Sequence, residues 1–131
     1  MGEDFIKPVV WVGDALKRVK LFPPEVRQDI GAALFDVQKG AKPPSAKPFK
    51  GMASGILEIV TRFNTGTYRT VYAVQIGKRV YVLHAFKKKS KSGIKTPKSE
   101  IDLVKQRLKR AYKESEKWNE KINQKEVKER I

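Results

Sequence analysis

Apolar residues recur at helical spacing in two long segments of the chain. From Pro24 to about Lys39 they fall three or four positions apart, which is typical of one face of an amphipathic helix. These positions are Val26, Ile30, Ala33, Leu34 and Val37. A second set follows Ser99 and comprises Ile101, Val104, Leu108, Ala111 and Tyr112. The pattern predicts one helix that ends at Gly40 and another that begins near Thr96-Pro97.

Short apolar runs separated by turn residues predict four strands. Residues 56–63, 68–76 and 79–86 are expected to form an antiparallel meander, with turns at residues 64–67 and 77–78. Residues 8–12 have the pattern of a short buried strand, bounded by Gly13. Asp14 is then a candidate N-cap for a short helix through Lys20. Residues 41–51, which are rich in proline and lysine, are predicted to be a loop.

These elements predict an α+β fold for a chain of 131 residues. The sheet should be small, twisted and mainly antiparallel, built from the N-terminal strand and the three-stranded meander. It is expected to pack against the N-terminal helices and a C-terminal helix on one face, leaving a basic concavity on the other. Residues 1–112 are assigned to this domain and residues 113–131 to a charged helical extension.

Strand register predicts which side chains share a face of the meander. Counting outward from the turn at residues 77–78 places Arg69 opposite Phe86, with His84 on the same face. A symmetric turn at residues 64–67 places Arg62 opposite Arg69. Like charges opposite each other in a sheet cost up to about 1 kcal/mol, so an anion is expected between them. Glu58 is the only acid predicted on this face. The other face is expected to carry Leu57, Ile59, Phe63, Tyr68, Tyr72, Val74, Tyr81 and Leu83 under the helices.

Charge narrows the choice of partners. The formal net charge is +15, from 29 Lys and Arg against 14 Asp and Glu, which indicates a polyanionic partner such as nucleic acid. The sequence has no apolar run of about 20 residues that could span a membrane, and its acidic start does not resemble a signal peptide. A cytoplasmic location without membrane contact is therefore expected. The lack of cysteine and the single histidine argue against a metal site, and no cofactor is expected.

The single histidine and six lysines lie between His84 and Lys98, where the last strand of the meander ends. A histidine can act as acid or base near neutral pH. The surrounding cations are expected to lower the pKa of His84, which suits a base. Clustered lysines favour RNA binding through counterion release. The structural alternatives are a histidine that only packs at a strand end and a solvated lysine surface.

The order of elements is similar to that of the RelE/ParE superfamily of bacterial toxins, and local motifs over roughly residues 7–112 resemble its HigB-type, phage Gp49-like branch. The motifs are Gly51-x3-Gly55-Ile56-Leu57-Glu58-Ile59, Tyr68-Arg69-x2-Tyr72, Tyr81-Val82-Leu83-His84-Ala85-Phe86-Lys87-Lys88-Lys89 and Lys95-Thr96-Pro97. The resemblance implies the toxin of a type II toxin–antitoxin pair, with a helix-turn-helix antitoxin as its partner. It implies a ribosome-associated mRNA endoribonuclease, whose cleavage should be metal-independent. The alternatives are a poison of a protein such as DNA gyrase and a noncatalytic phage nucleic-acid-binding protein.

Register and resemblance together define the candidate site. The candidate catalytic residues are His84, Arg69 and Lys88. The candidate RNA-binding residues are Lys47, Lys50, Arg62, Phe86, Lys87, Lys89 and Lys91. Arg69 resembles the phosphate-gripping strand arginine of the superfamily, and a salt bridge to Glu58 is its structural alternative. Lys47 and Lys50 resemble the superfamily lysines that precede the first meander strand, as phosphate ligands or, if one is deprotonated, as a base.

Overall fold

The computed structural model describes residues 5–52, 55–88 and 96–130, which form a mixed sheet with helices on both faces. In chain order the elements are β1 (Val9–Trp11), α1 (Ala15–Lys20), α2 (Pro24–Gln38), β2 (Ala46–Pro48), β3 (Ile56–Phe63), β4 (Gly66–Ala73), β5 (Val80–Lys88) and α3 (Lys98–Arg130). The strand order is β1-β5-β4-β3-β2, with β1 parallel to β5 and the other pairs antiparallel. The predicted α+β class is confirmed.

One face of the sheet packs against α1 and α2. The apolar stripe of α2 is buried as its spacing predicts, and it meets Ile59 and Tyr72 of the sheet. The helix ends at Gln38, and Gly40 follows with φ +90, a left-handed conformation that glycine adopts without strain. The two N-terminal helices therefore form the first layer of the core.

The other face is covered by α3, which corrects the prediction of helices on one face only. Val104 and Ala111 of α3 are buried against Val71 and Leu83 of the sheet. A β-bulge makes this second core possible, because Val71 pairs with His84 but Tyr72 pairs with Val82. Two consecutive β5 residues, Leu83 and His84, therefore both face α3.

The bulge also reverses part of the predicted face assignment. Tyr81 and Leu83 were expected under the N-terminal helices, but they lie in the core beneath α3. Val80 and Val82 take their places against α1 and α2. The pairing of Arg69 with Phe86 is correct because it lies beyond the bulge. Tyr68 and Tyr72 belong to the N-terminal helix layer, as predicted.

The segment predicted as a loop over residues 41–51 contains the edge strand β2, so that prediction is wrong in its centre. Ala46, Lys47 and Pro48 pair with Ile59, Glu58 and Leu57 of β3. Proline is tolerated on an edge strand because its missing N–H need not face a second neighbour. The strand places Lys47 directly beside Glu58 on the α3 face of the sheet.

The first turn of the meander is tighter than predicted. Phe63 pairs with Gly66, so only Asn64 and Thr65 form the turn. Asn64 has φ +53, a left-handed conformation that asparagine tolerates better than most residues. The register shifts by two residues: Arg69 faces Val60, and the predicted Arg62–Arg69 pair does not form. Arg62 instead faces Thr67 and is exposed.

The helix α3 continues well past the region that packs on the sheet. Trp118 is half exposed, and the guanidinium of Arg79 lies 5.0 Å from its ring centroid. This contact joins the charged extension to the start of β5. Within the described ranges, none of the helices has the length and apolar character needed to cross a membrane.

Candidate active site and nucleic-acid interface

Four cations, Lys47, Lys50, Arg69 and Lys88, form a basic cluster at one end of the sheet, on the α3 face. Arg69 comes from the central strand β4, and Lys88 from the end of β5. Lys47 comes from the edge strand β2, and Lys50 follows it. The tight first turn and the edge strand bring these residues together, so both differences from the predicted fold help to build the cluster.

A buried carboxylate lies at the centre of the basic cluster. Glu58 is only 4% exposed, and its Oε1 accepts a hydrogen bond from Arg69 Nη1 at 2.5 Å. The Nζ of Lys47 lies 3.8 Å from the same oxygen. The salt bridge considered as the alternative role of Arg69 is therefore present, and Glu58 orients the arginine.

The pair leaves unused hydrogen-bonding capacity in the site. Among the described atoms, Arg69 Nε and Glu58 Oε2 are buried without a hydrogen-bond partner. Buried polar atoms are normally satisfied, and exceptions are often found at functional sites. Arg69 therefore keeps a buried donor that Glu58 does not use.

Lys88 lies between the basic cluster and the pocket described below. Partial burial lowers the pKa of its ammonium group, and the neighbouring charges of Arg69, Lys47 and Lys50 lower it further against the opposing effect of Glu58. A lowered pKa makes an ammonium group a better proton donor near neutral pH. Lys88 thus combines a positive charge at the edge of the pocket with a lowered ammonium pKa.

His84 is fully buried, with 0% exposure, and both of its ring nitrogens have partners. Arg107 Nη1 lies 3.2 Å from Nδ1, and Glu100 Oε2 lies 3.0 Å from Nε2. Because a guanidinium only donates, Nδ1 must accept and the ring proton must be on Nε2. His84 therefore donates to Glu100, and a direct contact between its ring and RNA is not available in this arrangement.

Arg107 connects α3 to the sheet and to α1. It donates to the Leu83 carbonyl at 3.1 Å and also to Asp14 Oδ1. Asp14 precedes α1, but its side chain makes no capping bond; it binds Arg107 and, at 2.9 Å, Arg18. The close approach of Arg107 to the chain before α1 requires glycine at position 13. A Cβ on Gly13 would lie 2.8 Å from Arg107 Nε, and the φ of Gly13 is +57.

The pKa shifts in this network follow from the contacts. Burial lowers the pKa of His84; the contact with Glu100 acts in the opposite direction, and Arg107 lowers it further. The direction agrees with the sequence-based expectation, but the first cause is burial rather than the lysines. Burial alone would raise the pKa of Asp14, and the hydrogen bonds from Arg18 and Arg107 lower it overall.

We expect His84 to make the stability of the protein depend on pH. Its pKa is lowered in the folded state but stays near 6.5 in the unfolded chain, so only the unfolded chain takes up the proton just below 6.5. The contribution of neutral His84 to stability is therefore fully present above about pH 6.5 and is lost as the pH falls below that value. Urea unfolding should show a free energy of unfolding that falls steadily between about pH 7.5 and about pH 5.5.

The control for this prediction is His84→Gln, which cannot titrate. Carboxylate titration affects both proteins alike, so the difference between the two pH profiles isolates the only histidine in the chain. Parallel profiles for wild type and variant would contradict the assignment of a neutral, buried imidazole.

A surface pocket of about 390 Å³ lies where β5 meets the start of α3. Its described lining residues are Arg18, Phe86, Lys87, Lys88, Pro97, Ser99 and Glu100. Lys88 belongs both to this pocket and to the basic cluster. Phe86 stacks on His84, with ring centroids 5.2 Å apart, and so forms part of the wall between the pocket and the buried imidazole.

The remaining predicted site residues do not join the basic cluster. Phe86 is buried in the core beneath α3, which agrees with a packing role. Lys87 points to the other face of the sheet, with its Nζ 5.6 Å from the Tyr68 ring centroid. Lys89 and Lys91 lie outside the described residues. Thr67 of β4 pairs with Arg62 of β3 on one side and with Lys88 of β5 on the other.

Sequence reasoning missed Arg18, Glu100 and Arg107. A signal was present for two of them: Glu100 and Arg107 fall at helical spacing with the apolar residues Val104 and Ala111. Charged side chains on a buried helical stripe must find partners in the core. That rule would have identified both residues as members of a buried network.

Comparison with known proteins defines the family. The model of the family described as phage-derived protein Gp49-like (DUF891) matches residues 17–109, which include α2, the whole meander and the start of α3. No curated protein matches the chain significantly. The chain belongs to the phage-derived Gp49-like family, and this membership is consistent with the toxin of a toxin–antitoxin system.

Proposed function

We propose that the protein is a ribosome-associated, metal-independent mRNA endoribonuclease and the toxin of a toxin–antitoxin pair. The observation that supports this most directly is the position of Lys88. It joins a cluster of phosphate-binding cations to a pocket that contains a carboxylate. RNA and the ribosome are polyanions, which a chain of net charge +15 would bind through counterion release.

The proposed reaction uses the 2′-hydroxyl of the RNA as its nucleophile. Attack on the adjacent phosphorus requires a base for the hydroxyl proton, an acid for the 5′-oxygen and cations for the phosphate. Arg69 provides a fork for the phosphate oxygens, and Lys88 provides both charge and a proton. The products are a 2′,3′-cyclic phosphate, or the 3′-phosphate formed by its hydrolysis, and a 5′-hydroxyl.

The other predicted residues take supporting parts in this proposal. Lys47, Lys50 and Arg62 hold the RNA backbone along the rim of the sheet. Since His84 is buried, its part in catalysis passes through Glu100 and not through contact with the substrate. An acidic segment of the helix-turn-helix antitoxin would neutralise the basic cluster, and action on mRNA places the toxin in the cytoplasm.

Induced expression followed by primer extension on cellular mRNA tests the proposal. Wild type should produce new 5′ ends at defined positions, and Arg69→Ala should not. Arg110→Ala on the exposed side of α3 is a matched control that should cleave normally. Growth arrest with intact mRNA and stalled replication would instead support a protein target such as gyrase.

We expect the affinity for RNA to fall steeply as the salt concentration rises. The steepness of this dependence should decrease measurably when a single phosphate-binding lysine is removed. For single-stranded RNA, each neutralised phosphate contributes about 0.7 to the slope of log K against log salt concentration. Lys50→Ala should therefore lower the slope by about 0.7. The probe is a short mRNA fragment with 2′-deoxy sugars, which binds but cannot be cleaved.

Lys39→Ala is the control for the salt experiment, because Lys39 lies at the end of α2 and pairs with Asp36. Its slope should equal that of wild type. Affinity that does not change between about 50 mM and about 200 mM salt would contradict an interface led by phosphate contacts.

A further inference from the structure

We propose that Glu100 is the general base of RNA cleavage and that His84 and Arg107 are positioning residues that act through it. The inference rests on the proposed endoribonuclease function and assigns its proton acceptor. It starts from a contrast in exposure: His84 is inaccessible, whereas the side chain of Glu100 is 23% exposed. The residue that can meet a substrate is therefore the carboxylate and not the imidazole.

The location of Glu100 suits a base. It lies in the first turn of α3 and is the only acidic residue among the described lining of the pocket. Lys88 and Arg18 line the same pocket and provide the positive charge that holds a phosphodiester against a carboxylate. A nucleotide bound to Lys88 would bring its ribose into the same small space.

The direction of the hydrogen bonds prepares Glu100 to accept a proton. Arg107 donates to His84 Nδ1, and His84 donates its single ring proton to Glu100 Oε2. The carboxylate is thus fixed in orientation by a buried, neutral donor, as general-base catalysis requires. The charges that face Glu100 come from α1, β5 and α3, namely Arg18, Lys88 and Arg107.

Glu58 is the competing carboxylate, and its surroundings do not suit the same task. It is buried, and it is bound by Arg69 at 2.5 Å with Lys47 at 3.8 Å. Its Oε1 is occupied by these two cations and its Oε2 is buried, so neither oxygen can meet a substrate hydroxyl. The two acids therefore divide their roles: Glu58 orients the phosphate-binding arginine, and Glu100 accepts the proton.

The step balances with groups on the protein. The 2′-hydroxyl proton moves to the Glu100 carboxylate as the 2′-oxygen forms a bond to phosphorus. The bond from phosphorus to the 5′-oxygen breaks, and this oxygen takes a proton from the Lys88 ammonium group. Exchange with water then returns the proton from Glu100 to solvent and restores Lys88.

The test measures single-turnover cleavage of mRNA on purified ribosomes by Glu100→Gln, which keeps the size of the side chain. We expect the rate to fall at least about 100-fold, the range of general-base catalysis. Binding of the 2′-deoxy mRNA should stay within about twofold of wild type, since the proton acceptor is not a phosphate ligand. Glu114→Gln, on the same helix, is the matched control and should cleave normally.

A second variant separates proton transfer from a structural role. Glu100→Ala should regain cleavage in proportion to added formate, a small carboxylate that can occupy the vacated space; a merely structural glutamate would not be replaced in this way. Cleavage by Glu100→Gln within about threefold of wild type would overturn the assignment. If wild type itself leaves mRNA intact, the proposed function fails; if wild type cleaves and only Arg69→Ala is inactive, the assignment of Glu100 alone fails.

Discussion

Arg69→Ala is expected to remove mRNA cleavage and to lower the free energy of unfolding by about 3 kcal/mol. Arg69 is 9% exposed and is bound to a glutamate that is 4% exposed. Breaking a buried ion pair by deleting one partner leaves the other charge without compensation, which typically costs about 3–5 kcal/mol. The lower end applies because Lys47, at 3.8 Å, still partners Glu58.

The effect on cleavage has a separate origin. A preorganised cation that meets the developing charge on phosphate contributes about 100- to 1000-fold to the rate. Arg69→Lys should recover part of the stability, because it keeps the charge, but little of the rate, because an ammonium group lacks the planar fork. Urea unfolding and single-turnover cleavage on ribosomes measure the two effects independently.

The double variant Glu58→Gln/Arg69→Ala distinguishes stability from chemistry. Neutralising Glu58 removes the uncompensated buried charge, so the double variant should be more stable than Arg69→Ala. It should remain inactive, because the phosphate ligand is still missing. A double variant that regains cleavage would show that Arg69 serves only to balance Glu58, and it would refute the phosphate-binding role.

The sequence predicted the pairing of Arg69 with Phe86 correctly but not the neighbours of Arg69 on the other side. The first pairing lies beyond the bulge, on the side of the strands away from the last turn. The neighbour of Arg69 on β3 depended on the turn between β3 and β4. There the tolerance of Asn64 for a left-handed backbone allows a two-residue connection. A shift of two residues preserves the face and changes the partner, so Arg69 lies on its predicted face with a different neighbour.

The second helix layer was missed for a different reason. The bulge that turns both Leu83 and His84 toward α3 has no signature in a strictly alternating strand pattern. Without it, the apolar stripe of α3 had no predicted sheet face of its own. The same omission hid the environment of His84, which appeared to be at an open strand end and is instead enclosed by α3.

The second large effect is expected for Arg107→Met, which keeps the aliphatic stem and removes the guanidinium. The Leu83 carbonyl and His84 Nδ1 then lose their donor in a site where water has little access. An unpaired buried acceptor costs about 1–3 kcal/mol, so a loss of about 2–3 kcal/mol is expected in urea unfolding. Arg110→Met, one helical turn later and exposed, should change stability by less than about 0.5 kcal/mol.

The same variant should also lower cleavage, by up to about 100-fold, because a reacting group displaced by about 1 Å loses activity on that scale. Without Arg107, His84 Nδ1 loses the positive charge that opposes its protonation, so the ring can take up a second proton and its contact with Glu100 changes. Nitrogen NMR of the imidazole measures this directly, and the single histidine makes the signal unambiguous. Wild type should show the neutral Nε2–H tautomer, and Arg107→Met should form the imidazolium at a higher pH than wild type. A variant with an unchanged imidazole titration and an unchanged rate would show that Arg107 only stabilises the packing of α3 and does not position Glu100.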